Sequence, residues 1–304
     1  MTPLFSVIIP ALNRAYCVKN AIFSVLHQKE SNFEVIVFDA GSTDGTADTA
    51  RSIKDNRIKV GEYPKSKGVN FSRNRAIEMA TGEWLVLLDS DDQLTENAFE
   101  IMKKDIAKID EDVALIFYGT KDRASGKMKS YFHVKRSFVS YDEWVGEIGV
   151  KGEFLAMVRR KVFETEMLPE DMVAFEGYYW LKLLQKYKVM VNNTVVRIYE
   201  ADNKNRQTRQ LVKSEWAKPR ARSYKKFLNT FGDDMKRVNP KLHSHYLCIM
   251  SHLFFLSGNK KEGRNALKLA IKNGPSLKIY GLIIASYLGR WPFWVAAKIA
   301  QRLV

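Results

Sequence analysis

Three short apolar runs and one further strand-like stretch fall within the first ninety positions, separated by helix-like stretches. Nothing else in the chain constrains its fold as strongly. The apolar runs cover residues 6–10, 33–38 and 84–88, and the further probable strand covers 58–63. Between the first two, Val18, Ile22, Val25 and Leu26 recur at the three- and four-residue spacing of a helix. Further helical stretches lead up to about residue 55 and cover roughly residues 70–80. Strands that are apolar throughout, rather than alternating, are buried on both faces, so the pattern predicts a mainly parallel sheet covered by helices. In such α/β sheets ligands collect at the carboxyl ends of the strands. The second apolar run ends at Asp39 and the third at Asp89.

The rest of the chain divides by pattern. Residues 113–170 mix short strands, 114–118 and 130–134, with loops. An amphipathic helix is predicted over 177–186 and a strand over 189–199. The polar stretch 201–210 reads as a mobile loop, and residues 214–304 read as helices. The expected organisation is therefore an α/β domain over residues 1–210 and a helical, basic region over 211–304. The N-terminus lacks a basic leader, and its apolar run stops at Pro10, which suits a first strand rather than a signal peptide. Cys17 and Cys248 are far apart, with no CxxC spacing, which argues against a disulfide framework and fits a reducing cytosol.

The net charge of +15 is unevenly placed. Residues 1–120 hold 14 basic and 18 acidic side chains, whereas residues 201–304 hold 21 and 5. After Glu262 there is no acid, yet Arg264, Lys268, Lys272, Lys278, Arg290, Lys298 and Arg302 follow, interleaved with Trp291, Phe293 and Trp294. The longest uncharged run, 279–289, is too short for a membrane span of about 20 residues. Basic and aromatic residues in this mixture suit an amphipathic helix lying in the interface of an anionic membrane. A helical cap on the core, or a dimer contact, is the alternative. A nucleic-acid partner is not expected, because the charge is confined to an aliphatic tail and the acidic cluster would repel phosphate. The five histidines form no metal set: His243 and His245, two apart, do not share a helical face.

The segment LDSDD places Asp89, Asp91 and Asp92 at the end of a buried strand. Clustered carboxylates raise one another's pKa unless a cation or donor offsets them. Mg²⁺ or Mn²⁺ does so with one or two carboxylates plus phosphate oxygens. Alternatively, Asp91 or Asp92 caps a helix beginning near Glu96.

The pieces SVIIPALNR (6–14), EVIVFDAGSTDGT (34–46), SRNRAIEMATGEWLVLLDSDD (72–92) and FEGYYWLKLLQKYK (175–188) occur in that order. With them the chain resembles the family-2 glycosyltransferases of GT-A fold over roughly residues 4–205. The resemblance implies that Pro10 and Asn13 border the nucleotide and that Asp39 holds its base. Asp44 lies near the nucleotide in the same picture, although an Asx turn or helix cap would equally explain it. Arg73 and Asn74 match the family's Ala-Arg-Asn signature near the nucleotide or diphosphate; a surface helix arginine is the plainer reading of Arg73. Asp91 is implied as the metal contact, with Asp89 on the ribose or a metal-bound water.

Where the family usually has Glu-Asp before the amphipathic helix, this chain has Glu176-Gly177. Glu176 is thus the implied catalytic base, with Asp171 its rival; complementing the helix dipole is the bland role for Glu176. The implied reaction is a single displacement with inversion on a nucleotide-diphosphate hexose, by default a UDP-sugar, with Mn²⁺ or Mg²⁺. Arg206 or Arg209 could close over the diphosphate, or simply be solvated. Tyr178 and Trp180 are expected to pack. A glycan or lipid-linked saccharide acceptor and a peripheral position at the inner face of the cell membrane complete the expectation. A sugar-nucleotide binder without turnover is the alternative, suggested by Gly177.

Overall fold

The computed structural model describes residues 2–133, 135–147, 150–173, 176–200 and 214–273. The first part alternates as expected: β1 (Phe5–Ala11), α1 (Val18–Leu26), β2 (Phe33–Asp39), α2 (Thr46–Arg51), β3 (Ile58–Glu62), α3 (Val69–Glu78) and β4 (Trp84–Leu87). Then come β5 (Gln93–Leu94), α4 (Ala98–Ile106), β6 (Val113–Asp122), β7 (Ser130–Phe132), β8 (Arg136–Val139), α5 (Tyr141–Val145), β9 (Val150–Gly152) and β10 (Leu155–Arg159). Next are α6 (Glu176–Leu184) and β11 (Lys188–Tyr199), and the described part ends in three helices, α7 (Ala217–Val238), α8 (Pro240–Leu256) and α9 (Lys260–Asn273).

The described strands form a nine-stranded sheet of order β3-β2-β1-β4-β10-β6-β11-β5, with β8 also on β11, and a separate β7–β9 pair. Strands β3, β2, β1 and β4 are mutually parallel. Strand β10 enters antiparallel between β4 and β6, while β6 and β11 pair in parallel. The sequence pattern missed β10 because LAMVR is short and its pairing partners, β4 and β6, lie far away in sequence. The chain goes outward from β1 to β2 and β3, then returns to β1's other side for β4. That reversal is a topological switch point, where α/β sheets leave a crevice at the strands' carboxyl ends.

The core explains the run-like strands. β1, β2 and β4 are buried along their whole length. Phe99 of α4 stacks on Phe5 at 4.5 Å and tilts against Phe33 at 5.4 Å. Trp84 is fully buried, with the Arg159 guanidinium 4.3 Å above its ring. At the amino ends of the strands, buried Glu34 collects Ser6 Oγ at 2.6 Å, Thr81 N at 2.6 Å and the Lys59 ammonium at 2.6 Å. Gly82 N donates to Ser6 Oγ there, and a Cβ on Gly82 would lie 2.5 Å from that oxygen.

The chain divides into two compact units. The first comprises Met1–Ser140, Gly149–Glu170 and Leu183–Asn203; the second comprises Tyr141–Ile148, Asp171–Lys182 and Lys204–Val304. The second unit thus includes two short segments from the portion expected to belong wholly to the α/β domain. Its helices pack through Phe227, Phe231 and Met235 of α7 with Val145, Met172 and Leu181, and through Leu247, Leu253 and Phe254 of α8 with Ala266 and Leu267 of α9. Asn239 caps α8 by accepting from Leu242 N at 3.1 Å, ahead of Pro240 in the first turn. No helix among the described residues is long and apolar enough to cross a membrane. The stretch 201–213 and the aromatic basic tail beyond residue 273, including Arg206 and Arg209, lie outside the described residues.

Candidate active site

Two loops at the switch point are laced together by their own polar groups. Pro10 lies on β1 beyond the last β4 pairing, Ile8 with Leu87. Asn13 adopts a left-handed φ of 53°, which asparagine tolerates better than most residues. Its N–H donates to Ser42 Oγ at 2.7 Å, and its Oδ1 accepts from Thr43 N at 3.0 Å. Ser42 Oγ in turn donates to Asp39 Oδ1 at 2.6 Å. Asp39, only 4% exposed, also accepts from Ser42 N and, through Oδ2, from Ala47 N at 3.1 Å. Each carboxylate oxygen has two lone-pair sites, so Oδ2 retains one for a further donor. Asp44 accepts from Thr46 N and Oγ1 and from Ala15 N. Burial pushes Asp44 up, but these hydrogen bonds outweigh it and hold its carboxyl below the ordinary value. Asp44 therefore does form the Asx-type turn, and it also ties the two loops to each other.

The three acids after β4 are organised differently. Each faces an arginine brought from elsewhere in the fold. Arg73 Nη2 of α3 donates to Asp89 Oδ1 at 2.8 Å. Arg14 Nε, from the loop after β1, lies 3.8 Å from Asp91 Oδ2. Arg197 Nη1 of β11 lies 3.4 Å from Asp92 Oδ2, and Glu200 N donates to Asp92 Oδ1 at 3.0 Å. Burial would raise Asp89, yet the charges of Arg73, Arg197 and Arg14 and the Arg73 hydrogen bond keep it below the usual carboxylate range. Asp92 is 1% exposed, and burial pushes it up to about 8 against the pull of Arg197, with Asp89 and Asp91 adding repulsion. The capping reading of Asp91 and Asp92 is corrected here. Helix α4 begins at Ala98, after β5, and its N-cap residue is Asn97.

The structure thus brings Pro10, Asn13, Asp39 and Asp44 to the ends of β1 and β2, and Arg73, Asp89 and Asp91 to the end of β4. Asn74 is engaged otherwise. Successive helical residues point about 100° apart, and while Arg73 meets Asp89, the Asn74 amide is hydrogen-bonded to Leu168 and Glu170. Glu176 opens α6 in the second unit and is exposed. Asp171, in the same unit, is paired with Lys226 at 2.6 Å. Tyr179 and Trp180 are buried and meet at 5.1 Å, and Tyr178 packs edge-on against Phe231 at 5.3 Å. Sequence reasoning did not single out Arg14 and Arg197. Nothing local marks Arg197, although Arg14 lies inside the SVIIPALNR motif.

A family model described as glycosyl transferase family 2 matches residues 6–166, just over half of the chain. The chain belongs to glycosyl transferase family 2. It is 26% identical over 210 residues to the GalNAc(5)-diNAcBac-PP-undecaprenol beta-1,3-glucosyltransferase of Campylobacter jejuni, covering 66% of this chain and 67% of that one. It is 32% identical over 136 residues to glycosyltransferase GlyG of Streptococcus pneumoniae, a match that spans only 44% of either chain. Among solved structures, S. aureus TarS 1–349 in complex with UDP-GlcNAc aligns at a TM-score of 0.66, with 16% identity, over 98% of this chain and 91% of that one. The mannosyltransferase PcManGT of Pyrobaculum calidifontis, in complex with GDP-Man and Mn²⁺, aligns at 0.56 with 19% identity over 100% and 87%. At these identities the structural likeness establishes the fold, that of the GT-A glycosyltransferases. Its relatives work in polysaccharide and lipid-linked glycan assembly.

A divalent cation is compatible with the donor groups of this family 2 chain. Asp91 and Asp89 present hard oxygen donors with side chains 18% and 39% exposed. Among the described residues no group of three or more His, Cys, Asp or Glu side chains is placed to hold an ion alone. An ion here would take its remaining ligands from phosphate oxygens and water, as Mg²⁺ and Mn²⁺ do in nucleotide sites.

Proposed function

We propose that the chain is an inverting hexosyltransferase that moves a hexose from a nucleotide-diphosphate sugar, a UDP-sugar first, to a hydroxyl of a glycan or lipid-linked saccharide. One observation carries this reading: three carboxylates, each facing a long-range arginine, stand at the carboxyl end of β4 beside the switch point of a family 2 chain. The name of the Campylobacter jejuni relative, a glucosyltransferase acting on an undecaprenol-linked saccharide, supports the acceptor class.

Asp39 accepts from the nucleobase through its remaining lone pair, while Pro10, Asn13 and Asp44 shape the wall beside it. Asp91, with Asp89, holds Mn²⁺ or Mg²⁺, which when bound supplies charge stabilisation for the departing diphosphate. Arg73 keeps Asp89 ionised and oriented. Glu176 removes the proton from the acceptor hydroxyl as it attacks the anomeric carbon; the rival, Asp171, has its carboxylate paired with Lys226. The catalytic part covers residues 1–210. The basic, aromatic tail of region 211–304 rests on the inner face of the cell membrane, near a lipid-linked acceptor.

The test is release of UDP from UDP-hexoses with Mn²⁺, its abolition by EDTA, and the anomeric configuration of the product by NMR. Release that continues unchanged in EDTA removes the metal from the reading, and a retained configuration removes inversion. Nucleotide-sugar binding without release, in the presence of candidate acceptors, favours the binder without turnover that Gly177 suggests. Full-length chain should float with anionic but not neutral vesicles, an effect lost at high salt.

A further inference from the structure

The turn that carries the three acids is bolted at both corners, and the nucleotide reading leaves one of those bolts unexplained. Asp92 N donates to Asp89 O at 3.0 Å, which closes a four-residue turn with Asp91 at its third position. Asp89, at the first corner, is held by Arg73 Nη2 at 2.8 Å. Between them, Ser90 O accepts from Cys17 Sγ at 3.5 Å. Asp92, at the last corner, is tied to β11. Its Oδ1 accepts from Glu200 N at 3.0 Å, and its Oδ2 lies 3.4 Å from Arg197 Nη1. The backbone repeats that connection, since Gln93 and Leu94 of β5 pair with Ile198 and Arg197. Arg197 is itself fixed: Nε donates to Thr120 Oγ1 at 3.2 Å, and Nη2 lies 3.7 Å from Glu153 Oε2. All of these residues belong to the first unit.

Exposure separates the acids. The side chains of Asp89 and Asp91 are 39% and 18% exposed, whereas those of Asp92 and Arg197 are 1% and 4% exposed. A cation arriving from solvent reaches the first two, and Asp92 is shut off from it. A buried ion pair is often no more stabilising than apolar side chains of the same volume. What this pair supplies is a fixed direction at one end of a short turn. We infer that Asp92 and Arg197 are positioning residues: they lock the turn onto β11 and so hold Asp91 in place for the cation, and neither touches the cation or the diphosphate. This rests on the metal-assisted transferase reading above. The lock does not depend on the charge of Asp92, because a protonated carboxyl keeps acceptor capacity for Glu200 N. Removing the contacts that orient metal ligands lowers metal affinity by roughly 10- to 100-fold, so the lock acts on cation binding before it acts on chemistry.

The experiment compares wild type with Arg197→Gln, Asp92→Asn, the double variant and Asp91→Asn. Four quantities are measured: Mn²⁺ affinity in the presence of UDP by EPR of the free ion, uridine affinity by calorimetry, kcat for transfer, and Tm. Uridine reports the base pocket without the diphosphate. Arg197→Gln is expected to weaken Mn²⁺ binding about tenfold, with kcat falling in step and uridine affinity within about twofold of wild type. Asp92→Asn, which keeps an acceptor for Glu200 N, should weaken Mn²⁺ binding by less, and it carries the test if Arg197→Gln does not fold. The double variant should be no weaker than Arg197→Gln alone, because both changes break one link. Asp91→Asn, which removes a donor, should have the largest effect on Mn²⁺. A loss in Asp92→Asn as large as in Asp91→Asn would make Asp92 a ligand and overturn the inference. A fall in Tm with unchanged Mn²⁺ affinity would make the pair purely structural and overturn it equally. Wild type that binds Mn²⁺ with UDP but transfers no sugar would sink the transferase reading alone. Wild type whose UDP affinity ignores Mn²⁺ would sink the lock together with the metal.

Discussion

The two ends of the parallel sheet both bury carboxylates, and they treat them in opposite ways. At the amino ends, Glu34 stands alone. Two hydroxyls, two backbone N–H groups and the Lys59 ammonium converge on it, most at under 3.1 Å. Burial raises it, yet the Lys59, Ser6 and Thr81 hydrogen bonds bring it below its ordinary value. At the carboxyl end of β4, three acids crowd within four residues, and the arginines opposite them stand at 2.8, 3.8 and 3.4 Å. One acid is pulled down there and another pushed up to about 8. A solitary acid surrounded by donors glues the sheet together. Crowded acids with looser, exchangeable counter-charges leave a demand for positive charge that a ligand complex can meet.

That contrast can be broken at either end. The largest effect is expected for Asp91→Asn, which should lower turnover by about 10²-fold or more while the fold persists; thermal unfolding and initial rates measured side by side check both halves. A variant with near-wild-type rates would remove Asp91 from its role. Glu34→Gln should do the reverse. Losing the charged partner of Lys59 and part of a buried network costs about 2 kcal/mol of stability, read by denaturant unfolding, with kcat per folded molecule unchanged.

A smaller effect distinguishes the ends by pH. Asp92 has its folded pKa raised to about 8 from an unfolded value near 3.8. The folded state then holds a proton that the unfolded state has already released, so stability is fully present below about pH 4 and declines as pH rises toward 8. The metal-free wild type should lose Tm between pH 5 and 8, and Asp92→Asn should flatten that slope. Equal slopes would show that Asp92 does not carry the proton. The smallest expected signal is at Cys17, whose Sγ lies 3.5 Å from Ser90 O. Burial, aided by Asp91 and Asp44, pushes its thiol up to about 11. Its alkylation by iodoacetamide at pH 8 should be several-fold slower than that of a free cysteine, since the thiolate is the reactive form; a rate matching free cysteine would contradict the buried setting.

Much of this was legible residue by residue. The three apolar runs became β1, β2 and β4 within one or two residues, because strands buried on both faces must be apolar throughout, and the half-exposed stretch 58–63 became β3. The turn after β2 was legible too, since Asp44 and Thr46 act over two residues of chain. The region 113–170 was the weakest stretch. There β8 and β10 are held by neighbours far away in sequence, and β10 earns its place only by lying between β4 and β6.

The amino-acid sequence by itself determined the parallel α/β order, the strand-end positions of Asp39 and Asp89, and the family to which the chain belongs. Periodicity and short-range hydrogen bonding are properties of neighbouring residues, and they can be read without a fold. Only the tertiary structure decided that Arg14, Arg73 and Arg197 would each face one acid of the LDSDD turn, and that Asn74 would grip Leu168–Glu170. Those partners lie sixteen to about a hundred residues apart. Charge attraction and amide pairing act through space, so strand order, rather than any local pattern, chooses which donor meets which acid.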